Sequence, residues 1–391
     1  MKAGNSVLCG YGTTVFEVFS RLALEHGSVN LGQGFPDDRG PPDVLEEAVR
    51  ALREDSNQYP SMMGTPALRQ ALAGHARRFY GLDIDWQREV MVTSGATEAL
   101  TACLLGLIEP GDEVVLFEPL YDSYLPIIRL AGGVPRLVTL RPPAWGFSRA
   151  DLAAAFSPKT KLVLINDPLN PAAKVFSAEE LALIAEFTLA NDAYAVCDEV
   201  YEHIVFDGRR HIPLMTLPGM RERCLKIGSA GKTFSLTGWK VGYVTAAPAL
   251  LQPVAKAHQY LTFTTPPNLQ SAVALGLGKE DAYFTGLAVA MQAKRDRLGA
   301  GLERAGLTVL PSAGSYFIVA DYGATGFAGD DVAFCRHITI EAGVTAIPVS
   351  AFYAAAEPGR CARFCFCKRD EMLDEAATRL AAHFSRRRAV P

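Results

Sequence analysis

The segment Ser229–Thr233 places a lysine among small and hydroxyl-bearing residues. It reads SAGKT, with Lys232 in the fourth position, and a second lysine, Lys240, follows eight residues later. A lysine amine can bond covalently to an aldehyde cofactor, while a hydroxyl and a second ammonium can hold a phosphate on that cofactor. A nucleotide-binding P-loop is excluded, because it has four residues between its glycines and only two separate Gly228 from Gly231. The spacing therefore favours an aldehyde cofactor anchored at Lys232.

Asp198 follows the apolar run Tyr194–Cys197, so the pattern places a carboxylate at the C-terminal end of a buried strand. Ligands of open parallel sheets bind at that edge. A carboxylate there can pair with a ring nitrogen of the cofactor and preserve the ring as an electron sink, and Tyr201 can donate to a ring oxygen. The alternative is an aspartate that only caps the next element.

Three further segments provide candidate contacts to the same cofactor. Asn170 lies in the proline-bounded loop Asn166–Pro171 after the apolar run Leu162–Ile165. It can donate to the ring oxygen, although ordinary turn chemistry is the alternative. The segment Thr93–Glu98 joins a strand to a helix, and its backbone amides can meet a phosphate. Tyr121, at another strand-to-helix junction, can stack on the ring or belong to the core.

Composition excludes several classes of protein. The 391 residues are 49% hydrophobic and 20% charged, and the formal net charge is −4. These values are typical of a globular protein and provide no field that attracts nucleic acid. The one basic run, Arg386–Arg388, is predicted to be solvated. No segment approaches the roughly 18 apolar residues of a membrane helix, so we expect a cytoplasmic protein with neither a nucleic-acid nor a membrane partner.

Eight cysteines are scattered along the chain, apart from Cys361, Cys365 and Cys367, whose spacing places them on one face of a strand. No imidazole or further thiolate pair accompanies them at the spacing of a metal-binding loop. We therefore expect buried, reduced thiols and no metal site.

Apolar, β-branched runs alternate with helical stretches through the middle of the chain, which is typical of a mostly parallel sheet covered by helices. The length favours two unequal domains, and we predict a large domain at 42–285 and a smaller α+β domain at 1–41 and 286–391. The predicted strands of the large domain are Val90–Val92, Glu113–Phe117, Leu162–Ile165, Ala193–Cys197, Cys224–Ile227 and Val241–Thr245. Helices are predicted at Ala96–Leu107, Leu120–Leu130, Ala178–Ala190 and from Pro267 to about Ala305. Shorter strands are predicted at Leu307–Pro311, Ser315–Ala320, Val344–Ile347 and Ala362–Phe366.

Taken together and in this order, these segments resemble the aspartate aminotransferase superfamily of fold type I, whose cofactor is pyridoxal 5′-phosphate. Within it, the chain is similar to the branch that contains kynurenine aminotransferase, glutamine transaminase K and bacterial methionine aminotransferases. The matching segments run from near residue 10 to near residue 385, so the resemblance covers nearly the whole chain. They are Val29–Asp37, Asn57–Pro60, Cys197–Tyr201, Gly228–Phe234, Thr237–Gly242, Ala346–Ser350 and Arg363–Phe366.

The resemblance implies an α/β fold of type I, with a mostly parallel seven-stranded sheet in the large domain, and a homodimer with its active sites at the interface. Lys232 is then the catalytic lysine, which holds the cofactor and moves a proton, while Asp198 pairs with the ring nitrogen and Tyr201 contacts the ring oxygen. The other implied cofactor contacts are Ala96, Thr97, Tyr121, Asn170, Ser229, Lys240 and, reaching the neighbouring subunit's cofactor, Tyr59. The implied substrate contacts are Gly34, Asn166, Asn170 and Arg363, whose guanidinium grips the α-carboxylate.

The reaction implied is ping-pong transfer of an amino group from an L-amino acid to a 2-oxo acid. Aspartate-type members use an extra arginine in the loop that aligns with Gln259–Pro266, and this chain has none there. An unpaired buried carboxylate is costly, so we expect neutral donors such as methionine, glutamine, aromatic residues or kynurenine. Two alternatives are elimination from cysteine S-conjugates at the same site and a regulatory protein, which would carry a helix-turn-helix domain ahead of this fold.

One turn departs from the family pattern. The usual Asn-Pro-Thr-Gly or Asn-Pro-Leu-Gly is replaced by Asn170-Pro171-Ala172-Ala173. Ala173 lacks the backbone freedom of glycine, so we expect a change in loop geometry more than in chemistry.

Overall fold

The computed structural model describes residues 2–354 and 359–388. The side chains of Arg386–Arg388, predicted to be a solvated basic run, lie outside the described residues. The chain begins with four elements, helix α1 (Val15–Glu25), strand β1 (Val29–Asn30), helix α2 (Pro42–Glu54) and helix α3 (Pro66–Tyr80).

Seven strands form the large sheet, and six of them run parallel to one another. They are β2 (Val90–Thr93), β3 (Glu113–Glu118), β4 (Val134–Thr139), β5 (Thr160–Asn166), β6 (Tyr194–Asp198), β7 (Cys224–Ser229) and β8 (Gly242–Ala246). Their order is β2-β8-β7-β6-β5-β3-β4, and only β8 is antiparallel to its neighbours. The predicted mostly parallel, seven-stranded sheet is confirmed.

Helices cover both faces of this sheet, because successive side chains of each strand point to opposite sides. On β5, Val163 and Ile165 belong to one hydrophobic cluster and Leu162 and Leu164 to another. The helices that follow α3 in this part of the chain are α4 (Gly95–Leu107), α5 (Tyr124–Leu130), α6 (Arg149–Ala155), α7 (Ala178–Ala190), α8 (Ala230–Thr233), α9 (Pro248–Leu261) and α10 (Pro267–Leu277). Helices α2, α3, α6, α7 and α10 contribute to the first cluster, and α4, α5 and α9 to the second.

The C-terminal part contains a second, smaller sheet. Its elements are α11 (Asp281–Arg304), β9 (Thr308–Val309), β10 (Phe317–Asp321), α12 (Asp331–Glu341), β11 (Val344–Thr345), β12 (Ile347–Pro348), β13 (Cys361–Cys365) and α13 (Asp370–Arg388). Four antiparallel strands lie in the order β12-β13-β10-β9. Strand β1 pairs in parallel with β11, with Val29 opposite Val344, so the N-terminal segment is hydrogen-bonded to the C-terminal part. The domain division at 42 and 285 stays a prediction.

Four elements differ from the sequence-based expectations. The strand predicted at Val344–Ile347 divides into β11 and β12, which belong to different sheets. Strand β4 was not predicted, because it contains Pro135 and is half exposed, as an edge strand tolerates. The helix predicted from Leu120 begins only at Tyr124, since the Leu120 amide donates to the Phe352 carbonyl at 2.8 Å. The long helix predicted from Pro267 divides into α10 and α11, where Glu280 has an extended backbone.

All eight cysteines are free thiols, and seven of them are buried as predicted, but the prediction is wrong for Cys9, which is exposed. The Sγ atoms of Cys365 and Cys367 are 3.2 Å apart. None of the described helices is both long enough and apolar enough to cross a membrane. The cytoplasmic location stays a prediction.

Candidate active site

The C-terminal ends of β5, β6 and β7 open onto a cavity of about 280 Å³. Helices α4 and α8 and strand β13 complete its walls. Twelve of the thirteen predicted site residues line it, namely Gly34, Ala96, Thr97, Tyr121, Asn166, Asn170, Asp198, Tyr201, Ser229, Lys232, Lys240 and Arg363. The fold therefore brings together side chains that are far apart in the sequence.

Lys232 enters the cavity from the single turn of α8 that follows β7. Its Nζ atom donates to the hydroxyl of Tyr316 at 2.7 Å and lies 3.5 Å from the carbonyl oxygen of Gly34. Burial lowers the pKa of the Lys232 ammonium below its ordinary value. A larger fraction of the lysine is thus the neutral amine, which is the form that attacks a carbonyl carbon.

Asp198 ends β6 and is buried. Its Oδ2 atom accepts a 2.7 Å hydrogen bond from the Tyr124 hydroxyl, but its Oδ1 atom has no partner among the described residues. Burial raises the pKa of the Asp198 carboxyl to about 6. A buried acceptor without a donor is costly, so Oδ1 is available to a cationic N–H group of a ligand.

The start of α4 provides an anion site on another side of the cavity. The amides of Ala96 and Thr97 lie in the first turn of this helix, where backbone N–H groups lack helical partners. Gly95 has a φ of +78°, and a Cβ atom placed on it would lie 3.3 Å from Nζ of Lys240. Backbone amides at a helix start and an adjacent ammonium are a suitable environment for a phosphate.

These features fit pyridoxal 5′-phosphate. The Lys232 amine would hold its aldehyde carbon, the orphaned Oδ1 of Asp198 would accept from its ring nitrogen, and the start of α4 with Lys240 and Ser229 would hold its phosphate. Tyr121 lines the same cavity and offers a ring for stacking.

Arg363 on β13 is 1% exposed. Its Nη1 atom donates to Oδ1 of Asn170 at 2.8 Å and its Nη2 atom to the carbonyl of Gly32 at 2.6 Å, while Nε has no partner. No carboxylate among the described residues forms an ion pair with this guanidinium, and burial lowers its pKa to about 10. A buried cation that lacks a counter-charge favours an anionic ligand, such as a substrate carboxylate.

Tyr59 is the predicted site residue that does not line the cavity of its own chain. It is 83% exposed, and its ring packs edge to face on Phe263 with the centroids 5.6 Å apart. Its predicted contact with the neighbouring subunit's cofactor stays a prediction.

Two tyrosines in contact with site residues were missed by the sequence reasoning. Tyr124 lies three residues after Tyr121 within the predicted helix Leu120–Leu130, and that spacing was the signal that could have found it. Tyr316 donates to the Gly34 carbonyl at 2.5 Å and also accepts from Lys232. The sequence indicated Tyr316 less clearly, since an aromatic residue beside a strand is usually part of the core.

The altered turn is hydrogen-bonded although it has no glycine. Ala173 adopts a left-handed backbone with φ of 56°, and its amide donates to the Leu169 carbonyl at 2.8 Å. Left-handed geometry costs a residue other than glycine about 1 kcal/mol. Asn170 in this turn contacts Arg363, and the expected change in loop geometry stays a prediction.

Comparisons with known proteins agree with this site. Residues 27–380 match the family described as aminotransferase class I and II. The chain is 47% identical over 382 residues to the probable N-succinyldiaminopimelate aminotransferase of Mycobacterium tuberculosis, covering 95% of this chain and 96% of that protein. It is 38% identical to a kynurenine–oxoglutarate transaminase of Dictyostelium discoideum, and the match covers 94% of this chain and 93% of that protein.

A solved structure of an Escherichia coli protein with a methionine aminotransferase function superposes with a TM-score of 0.95. The two sequences are 40% identical, and the superposition covers 98% of this chain and 100% of the other. The predicted fold of type I and the resemblance to this branch are both confirmed.

We predict that Tyr124→Phe moves the acidic limb of the pH profile of kcat/KM to higher pH. The hydrogen bond from the Tyr124 hydroxyl lowers the pKa of Asp198. Without this bond the pKa rises, so Asp198 becomes protonated at a higher pH. A hydrogen bond to a charged group contributes about 1.5–3 kcal/mol, which corresponds to about 1–2 pH units. Tyr121→Phe is the matched control and should leave the limb in place; an unmoved limb in Tyr124→Phe would exclude this role.

We predict that Tyr316→Phe lowers kcat by roughly fivefold, because one hydrogen bond contributes about 1 kcal/mol, and changes KM for the amino donor less. The variant removes the closer of the two oxygens near the Lys232 amine. Tyr322→Phe also removes a buried hydroxyl, one that donates to Gly329 at 3.0 Å, and serves as the control that should retain kcat. Equal kcat values for the two variants in steady-state assays would contradict a role for Tyr316.

Proposed function

The chain belongs to the class I and II aminotransferases, and we propose that it transfers the amino group of an L-amino acid with a neutral side chain to a 2-oxo acid. Pyridoxal 5′-phosphate and the aminotransferase reaction follow from family membership. The choice of a neutral donor rests on one observation, the buried guanidinium of Arg363, which lines the cavity and whose Nε atom has no partner among the described residues.

Each residue of the cavity has a role that follows from its position. Arg363 would bind the substrate α-carboxylate through the fork of its guanidinium, with Asn170 and Asn166 fixing its orientation. Lys232 would take the proton from the substrate α-carbon and return it to the carbon on the other side of the transferred nitrogen, because its lowered pKa increases the fraction of neutral amine. When bound, pyridoxal 5′-phosphate supplies the electron sink that stabilises negative charge at the α-carbon.

The side-chain end of the cavity supports the proposed donor class. Lys232, Lys240 and Arg363 are the cationic side chains among its described lining residues, and each has one of the roles above. Phe16 and Phe317 also line the cavity. A donor with a second carboxylate near its α-carbon would have to bury that charge without a counter-ion.

Two alternatives use the same site, and one of them has specific support. The relative with 47% identity is named for N-succinyldiaminopimelate, a donor whose additional carboxylates lie several bonds from the transferred amine. Such a substrate would have to place those carboxylates outside the cavity. Elimination from cysteine S-conjugates would use the same residues, and release of pyruvate and ammonia without a 2-oxo acid acceptor would identify it.

We also propose a homodimer in which Tyr59 contributes to the neighbouring subunit's site. Support comes from exposed aromatic residues around the loop after α9, where Tyr260 is 83% exposed and Phe263 lies against Tyr59. Exposed aromatic clusters of this kind commonly mark interfaces.

We predict that kcat/KM for aspartate is at least roughly 100-fold below that for methionine, because a buried unpaired carboxylate costs several kcal/mol. The measurement follows the absorbance of the enzyme-bound cofactor as single amino acids are added. Asparagine is the matched control, since it has the size of aspartate without its charge. Equal use of aspartate and methionine would reject the neutral-donor proposal, and N-succinyldiaminopimelate as the leading donor would favour the alternative.

Full turnover by Lys232→Ala would refute the site itself.

We predict that two inactive variants restore activity when mixed. A heterodimer of Tyr59→Ala and Lys232→Ala chains has one site with both residues intact if Tyr59 acts across the interface. With random exchange, about a quarter of all sites should recover, because half of the dimers are mixed and each has one intact site. Refolding the chains together and measuring turnover against the unmixed variants tests this, and no recovery would place Tyr59 outside the neighbouring site.

A further inference from the structure

A cluster of buried polar side chains lies beyond the C-terminal end of β6, outside the cavity described above. The Nε2 atoms of His75, on α3, and His203 are 2.7 Å apart. These two atoms and a carboxylate oxygen of Glu202 all lie within 4.8 Å of one another. No other group of three histidine, cysteine or acidic side chains comes this close in the described part of the chain.

We propose that His75, Glu202 and His203 form a binding site for a first-row divalent transition-metal ion, with zinc as the representative. Two imidazole nitrogens and a carboxylate oxygen are a ligand set that zinc accepts, with water in the fourth position. Magnesium and calcium prefer sets composed of oxygen atoms. This departs from the expectation of no metal site, which considered the cysteines and could not bring α3 next to the segment after β6.

The distances require only a small adjustment. Tetrahedral coordination with metal–nitrogen bonds of about 2.0–2.1 Å separates two ligand nitrogens by about 3.3 Å. The two rings would therefore move apart by roughly 0.6 Å.

Hydrogen-bond donors orient the Glu202 carboxylate and leave one of its two oxygen atoms available to a metal ion. Its Oε2 atom accepts from the Tyr80 hydroxyl and from Nζ of Lys226, both at 2.6 Å. Its Oε1 atom has a longer contact of 3.5 Å with the Tyr243 hydroxyl. Outer partners of this kind fix the orientation of metal ligands, so Oε1 is the oxygen that can coordinate.

The charge of the surrounding cluster also favours a cation. Lys226 lies 3.5 Å from Glu199, which pairs with His211 at 2.8 Å, and His211 lies 3.3 Å from Asp167. Burial opposes protonation of His211, but these two carboxylates raise its pKa to about 10. With Glu202, three carboxylates therefore face Lys226 and His211. A further cation nearby, Arg78, is paired with Asp281, so the cluster retains an excess of one negative charge.

Aromatic rings surround the two imidazoles. The Phe79 ring lies 4.7 Å from His75 and 4.8 Å from His203, centroid to centroid, and Phe284 lies 5.8 Å and 4.6 Å from them. An apolar shell limits water around a polar centre and strengthens metal–ligand bonds. His203 is only partly buried, so it provides the side from which an ion can enter.

The test titrates zinc into chelator-treated holoenzyme with a Cys9→Ser substitution, because the Cys9 thiol is exposed and would bind zinc by itself. Calorimetry and elemental analysis should find about one zinc ion per chain. His75→Gln and His203→Gln should each weaken binding at least about tenfold, since even outer-partner changes cost roughly 10–100-fold. Absence of zinc binding by the parent protein would overturn the proposal.

A second pair of histidines provides the control. His337 and His383 also have their Nε2 atoms 3.0 Å apart, but they do not belong to a three-ligand group among the described residues. His337→Gln should therefore leave zinc affinity unchanged, and an equal loss in that variant would place the ion elsewhere. X-ray absorption of the zinc-loaded parent needs no variant. It should show two imidazole ligands and oxygen, whereas sulfur or oxygen alone would reject the assignment.

Discussion

The guanidinium of Arg363 has a full charge in the interior, held by an amide oxygen of Asn170 and a backbone carbonyl of Gly32. Neutral acceptors and the rings of Phe16, Phe317 and Phe352, 4.1–5.1 Å from the guanidinium carbon, compensate only part of the cost of removing that charge from water. The remainder is available to an anion. The guanidinium can be held in this way only where three segments meet. They are β13, the segment after β1 and the loop after β5.

The same physical constraint applies to Asp198 and Lys232. Both are ionisable groups that burial shifts towards neutrality, with Asp198 raised to a pKa of about 6 and the pKa of Lys232 lowered. Each also retains one hydrogen-bonding partner that fixes its position, Tyr124 for the acid and Tyr316 for the amine. The parallel sheet makes this possible, because the ends of β6 and β7 are adjacent and present both groups to one space.

The sequence predicted the large sheet and most of the cavity, because buried parallel strands are continuous apolar runs and their following loops contain the polar residues. It could not predict β4, where exposure and Pro135 remove that pattern. Tyr124 and Tyr316 were missed for a related reason, since a tyrosine next to a core strand looks the same whether its hydroxyl is idle or bonded to a site residue. The contact of His75 with His203 depends on packing between distant segments, which periodicity does not specify.

The pairing of β1 with β11 has a consequence for how the chain is assembled. Val29 is made early in synthesis, yet its strand partner Val344 emerges only when most of the protein has been made. Contacts so distant in sequence form late, because closing a long loop is entropically unfavourable. The large sheet and its lysine can therefore be in place while Gly32 and Gly34 are still unpositioned. A nascent chain would acquire the means to hold its cofactor before it could hold an amino acid.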